Sequence, residues 1–274
     1  MFHYDIKDLD CIICLGQSNE EGGDSATNPS SLYLNSQPYT NIFYKPDLTS
    51  TLNGSIQKYQ YSINNNSRSN KYPGPDVSVG IQYNTLTGKP LLIIKHAYGG
   101  SALVDDGSYV WSTGLWQIDA NATRANNLLH YDIALNNFII PCLNQAVQRG
   151  IRLNILATCW CQGESDSGTV YGSSNYQAEL IRLFDALETA LTPYGVLSPN
   201  YKPLITRLHN NYTVGTRPYM SVIRTAQENV AAYYSAQWID TDAYPVAADN
   251  THWTATGQTT HGIDRATKLA TYYQ

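Results

Sequence analysis

Cys11-Ile12-Ile13-Cys14-Leu15-Gly16-Gln17-Ser18-Asn19 reads as a buried strand that runs straight into a turn. Its apolar residues follow one another without alternation, as in a parallel-sheet strand covered on both faces. Gly16 lets the backbone turn sharply, and Ser18 then stands at the carboxyl end of the strand, where a helix normally begins. That is a nucleophile position, with the Ser18 N–H pointing out of the turn toward any oxyanion. Taken alone, Ser18 reads more readily as a plain helix N-cap.

Further apolar runs of strand length lie at 90–94, 153–161 and 203–208, with a weaker one at 237–240. Helical periodicity falls between them. The clearest stripe is Leu180, Leu183, Phe184, Leu187 and Leu191, at i, i+3, i+4, i+7 and i+11. A second, Ile263, Ala266, Leu269, Ala270 and Tyr273, closes the sequence, with Thr254 as its N-cap. The stretch 131–149 is also helical in pattern, kinked or started by Pro141. Strands alternating with helices predict an α/β fold with a mostly parallel five-stranded sheet, helices on both faces and ligands at the carboxyl ends of the strands. Residues 20–75 are rich in Asn, Ser, Gly and Pro and carry no helical stripe, so they read as a loop-rich surface insertion. With no repeat and no strong linker, residues 1–274 read as one domain.

Composition narrows the function. Charged residues are 14% of the 274, against roughly 25% in an average soluble chain, so the surface is largely neutral and polar. A net charge of −5 argues against a grip on nucleic-acid backbones. No apolar stretch reaches the length of a membrane span, and the start lacks a secretory signal, which predicts a soluble protein made in the cytoplasm. The 22 Tyr and 5 Trp suit sugar binding and core packing alike. The five Cys lie in or beside apolar segments and read as buried free thiols. Cys11 and Cys14, three apart on a strand, point to opposite faces, and a structural zinc site needs a second ligand pair at short spacing, so no metal is expected. No cofactor is expected either.

Three more blocks carry chemistry. Tyr98-Gly99-Gly100-Ser101 follows a strand, and its paired glycines let backbone N–H groups approach a ligand. Trp160-Cys161-Gln162-Gly163-Glu164-Ser165-Asp166 leaves another strand as a burst of polar groups, with Gln162 offering a side-chain amide. Asp249-Asn250-Thr251-His252 sets a carboxylate three residues before an imidazole, a spacing that can fix the tautomer of a general base. Each block alone also reads as an ordinary turn.

Together, Gly16-Gln17-Ser18-Asn19, Gly99-Gly100-Ser101, Gln162-Gly163-Glu164-Ser165-Asp166 and Asp249-Asn250-Thr251-His252 resemble the sialate O-acetylesterase and carbohydrate esterase family six branch of the SGNH hydrolases, from about residue 10 to the end. The resemblance implies a flavodoxin-like three-layer α/β/α fold and metal-free removal of acetyl groups from sugar hydroxyls. It makes Ser18 the nucleophile, His252 the base and Asp249 its partner. The oxyanion hole would comprise the Ser18 N–H, a Gly99 or Gly100 N–H and the Gln162 amide. Gln17 and Asn19 beside the nucleophile read as supporting residues, and Glu164 and Asp166 as structural groups that bond loop N–H groups beside the hole. His96, His209, Trp111, Trp160 and Trp253 are further candidates for contact with an acetylated carbohydrate. One departure stands out: the family follows its Gly-Gln-Ser-Asn with Met and a small residue, whereas Glu20-Glu21-Gly22 follows here. Acids there suit a helix start, and would also reshape the mouth of the site or raise the pKa of the base. The rival reading is a glycan-binding or structural module, such as part of a virion's attachment apparatus, that keeps the fold without turnover. A lipid or thioester substrate is a third.

Overall fold

The structure, a computed structural model, describes residues 8–22, 42–45, 57–58, 74–107, 111–210 and 217–274. Its sheet core consists of β1 (Asp8–Gly16), β4 (Leu91–Ala97), β5 (Arg152–Cys161), β6 (Leu197–Arg207) and β7 (Gln237–Asp240), all parallel, in the order β4-β1-β5-β6-β7. Two short strands extend the β4 edge: β2 (Ile42–Lys45), parallel to β4, and β3 (Gln57–Lys58), antiparallel to β2. The five parallel strands are the sheet expected, and the two short strands are an addition at its edge. Both additions fall inside the 20–75 stretch read as loop, most of which lies outside the described residues.

Strand β1 shows why the sheet is covered on both sides. Leu9, Cys11, Ile13 and Leu15 enter one apolar cluster with α5 (Val170–Leu191) and α6 (Met220–Tyr233). Ile12 and Cys14 enter the other, with α2 (Asp76–Thr87) and α7 (Ala255–Tyr272). All five cysteines are free and buried. The Leu180 to Leu191 stripe is buried along its whole length, as its spacing requires. Ahead of Pro141, α3 (His130–Ile133) passes through a π-helical segment, Ala134–Ile139, into α4 (Ile140–Gln148). A widened turn at that point accommodates the donor that proline lacks. Among the described residues, no helix is long and apolar enough to cross a membrane.

The chain passes from β1 to β4 on one side and then crosses to β5 on the other, so a crevice opens at the carboxyl end of β1. Gly16 is in register with both Ala97 and Cys161, and three strands end at one level there. The Gln17 N–H donates to Cys161 O at 3.0 Å and the Tyr98 N–H to Gly16 O at 3.0 Å, which ties the three exits together. A Cβ at Gly16 would run into the Cys161 carbonyl, so this close approach admits only glycine.

Candidate active site

Ser18 opens α1 (Ser18–Glu21) at the rim of the crevice, half-buried. Opposite stands the loop before α7, held by an antiparallel bridge between Val246 and Trp253 and by an Ala247 N–H donated to His252 O at 2.7 Å. Asn250 adopts a left-handed backbone (φ 53°), which folds the loop so that Asp249 faces His252. His252 Nε2 lies 2.9 Å from Ser18 Oγ, and His252 Nδ1 lies 2.6 Å from Asp249 Oδ2. Asp249 Oδ1 also accepts the N–H groups of Thr251 (2.9 Å) and His252 (3.0 Å). Burial pulls the Asp249 carboxyl upward, but bonds from the His252 N–H, its imidazole and the Thr251 N–H outweigh it and hold the pKa below the ordinary value. An ionised Asp249 places the imidazole proton on Nδ1, leaving Nε2 to accept from the Ser18 hydroxyl.

The glycine pair is resolved by the acid three residues after Ser18. The Gly99 N–H donates to Glu21 Oε2 at 2.9 Å, whereas among the described residues no acceptor takes the N–H of Gly100 or of Ser18. Gly100, at φ +78°, has its carbonyl fixed by Thr113 Oγ1 (2.6 Å) and Ser165 Oγ (3.0 Å). Gln162, expected to offer its side-chain amide to the oxyanion hole, has that amide engaged within the fold. Its Nε2 donates to Ser101 O at 3.0 Å and Asp166 Oδ2 at 2.7 Å, so both hydrogens are engaged. To serve an oxyanion it would have to release one of them.

A model of the carbohydrate esterase, sialic acid-specific acetylesterase family matches residues 8–271. The chain belongs to that family. Its members are hydrolases acting on carboxylic esters. The esterase is similar in fold to a protein of Arabidopsis thaliana (TM-score 0.70, 16% identity, covering 97% of this chain and 99% of that one). It is also similar to NanS (TM-score 0.66, 14% identity, 97% of each chain). A carbohydrate acetylesterase from Xanthomonas citri matches with TM-score 0.59 and 15% identity, over 97% of the esterase and 57% of that protein. Comparison with curated proteins finds no match.

Beneath the rim, the esterase buries charge. Glu20 does not reach the mouth of the site: it turns inward and forms a two-bond pair with Arg265 (2.8 and 2.6 Å), both side chains fully buried. Lys95 and Asp76 pair at 2.9 Å nearby, and burial, only partly offset by Lys95, raises the Asp76 carboxyl to about 6. Asp166 accepts from the N–H groups of Leu103 and Val104 as well as from Gln162, yet burial still raises it to about 6. Gln17 is buried, with its Oε1 at a long 3.5 Å from the Gly163 N–H.

The aromatic and histidine candidates for sugar contact are not at the surface. Trp160 is fully buried and donates to Tyr176 OH at 2.9 Å; Trp253 is fully buried against Tyr244 and His261; Trp111 is 8% exposed. His96 is buried against Trp116 and Phe138 and shares a 3.0 Å bond with His130, and its pKa falls to about 3 through burial and then the proximity of His130. His209 is also buried, which lowers its pKa. Each of these rings shields a polar edge from water within the packing. Glu21, noted in the sequence only as part of an acidic departure, bonds the Gly99 N–H at the site, and His130, which pairs with His96, was not singled out at all. Glu21 had a signal, since i and i+3 share a helix face, but nothing local marks His130.

Proposed function

We propose that the chain is a serine esterase that removes O-acetyl groups from carbohydrate through an acetyl-enzyme, with Ser18 as nucleophile, His252 as general base and Asp249 as its partner. The observation that carries this reading is the continuous Ser18–His252–Asp249 relay at 2.9 and 2.6 Å. His252 Nε2 takes the hydroxyl proton while Ser18 Oγ bonds to the acetyl carbon, and the carbonyl electron pair moves onto oxygen. The N–H groups of Ser18 and Gly100, which no acceptor takes among the described residues, support this oxyanion as it develops. When the intermediate collapses, the C–O bond to the sugar breaks and His252 returns the proton to the departing alkoxide. Water then attacks the acetyl-enzyme by the same route, releasing acetate and restoring Ser18.

Ser18→Ala should lower kcat on nitrophenyl acetate on the order of 10⁴-fold or more with an unchanged melting transition; a variant as fast as the wild type overturns the reading. Acetate release from acetylated xylan, O-acetylated sialic acid and an acetylated bacterial polysaccharide, assayed in parallel, identifies the carbohydrate. No release from any of them, with glycan binding retained, favours the non-catalytic module.

A further inference from the structure

We propose that Asn19 is a positioning residue that holds the nucleophile and its base in register, a role that rests on the serine-esterase reading above. Asn19 follows Ser18 directly and is fully buried. Its Nδ2 donates to Thr251 O at 3.0 Å and to Glu164 Oε1 at 3.0 Å, and its Oδ1 accepts the Trp253 N–H at 3.1 Å. Thr251 and Trp253 flank His252. One short side chain thus grips the backbone on both sides of the base while its own backbone continues from the nucleophile. Through Glu164, only 1% exposed, it also ties both to the segment leaving β5.

This bracket matters because Ser18 and His252 are 234 residues apart yet must meet at 2.9 Å. The loop's own bonds, Asp249 to Thr251 and His252 and Ala247 to His252, fix its internal shape without fixing its distance from Ser18. The Arg217 Nη1–Thr251 Oγ1 bond at 3.1 Å reaches the loop only through the Thr251 side chain, leaving the backbone on either side of His252 to Asn19. Asn19 supplies two donors and one acceptor in a single plane, which matches a carbonyl, a carboxylate and an N–H. An aspartate of the same shape would keep the acceptor for Trp253 but lose both donors and set a second carboxylate against Glu164.

The test is a reversal of donor and acceptor. Asn19→Asp should lower kcat by about 10²-fold, the cost of a misplacement of about 1 Å, with KM within about twofold of wild type. Adding Glu164→Gln keeps the buried pair at one carboxylate and one amide, now with residue 164 donating, so the double variant should fold. It should regain about tenfold of the lost kcat but fall short of wild type, because Thr251 O still lacks its donor. Rates are normalised to the folded fraction by circular dichroism, and Ser18→Ala is assayed alongside. A wild-type rate for Ser18→Ala defeats the serine reading itself. An inactive Ser18→Ala beside a wild-type rate for Asn19→Asp, or a double variant no faster than the single one, overturns the positioning role alone.

Discussion

Asp249 and Asp166 both bear on the groups around Ser18, and both accept several hydrogen bonds, yet they titrate in opposite directions. Asp249 receives two backbone N–H groups and an imidazole and lies below the usual carboxylate value. Asp166 receives two backbone N–H groups and an amide, a similar set, and is raised to about 6. The difference is water: the Asp249 side chain is 46% exposed, whereas Asp166 as a residue is 2% exposed. Desolvation outweighs three donors when no solvent remains, and loses to them when half the group is wet. The rim of the sheet therefore carries an acid kept ionised beside His252, and the layer below carries buried acids bonded to their neighbours.

That division can be broken first at the rim. Asp249→Asn should keep the fold but cost about 10³–10⁴-fold in kcat, because an amide can hold the imidazole in the wrong tautomer; steady-state rates beside a melting curve check both halves. A loss of stability instead of rate would make Asp249 a structural acid like those below it.

The layer below should answer in stability. Glu20→Gln leaves the fully buried Arg265 without a charge partner and should cost about 3–5 kcal/mol in urea unfolding, with kcat per folded molecule unchanged. A fall in kcat at full stability would return Glu20 to the site.

The smallest expected effect sharpens the contrast in pH. A carboxyl whose folded pKa is raised is favoured in its protonated form, so Asp166 destabilises the fold progressively as pH rises from about 4 through about 6. Asp249, with a depressed pKa, contributes stability that is present above the unfolded value and lost as pH falls toward the folded one. Asp166→Asn should cost about 1–3 kcal/mol at neutral pH for its weakened bonds, and its urea midpoint should vary less between pH 4 and 6 than that of the wild type. An unchanged slope would mean that Asp166 titrates as an ordinary surface acid.

Much of this architecture was legible from residues 11–19 and the Leu180 to Leu191 stripe, because uninterrupted apolar runs and 3.6-residue spacing report burial directly. The start of β6 at Leu197 was not. Ala157 pairs with Lys202 but Ile155 with Leu197, an irregularity that takes up Pro199 and its neighbours, and a proline there reads as a turn. The last helix misled in another way. Its apolar spacing points Ile263 inward, but Ile263 is 38% exposed, while Gln258, His261 and Arg265 face the core. An inward arginine makes sense only once Glu20, 245 positions earlier, is known to meet it.

The order of strands and helices, the turn carrying Ser18 and the Asp-x-x-His spacing were determined by local sequence, since each depends on residues within a few positions of one another. The tertiary structure alone decided that Glu20 is buried while Asp249 stays wet, that Gln162 bonds inward, and that Gly99 rather than Gly100 gives its N–H to Glu21. Whether an acid titrates or an N–H remains free depends on the water and partners around it, and those are contributed by segments far away in the chain.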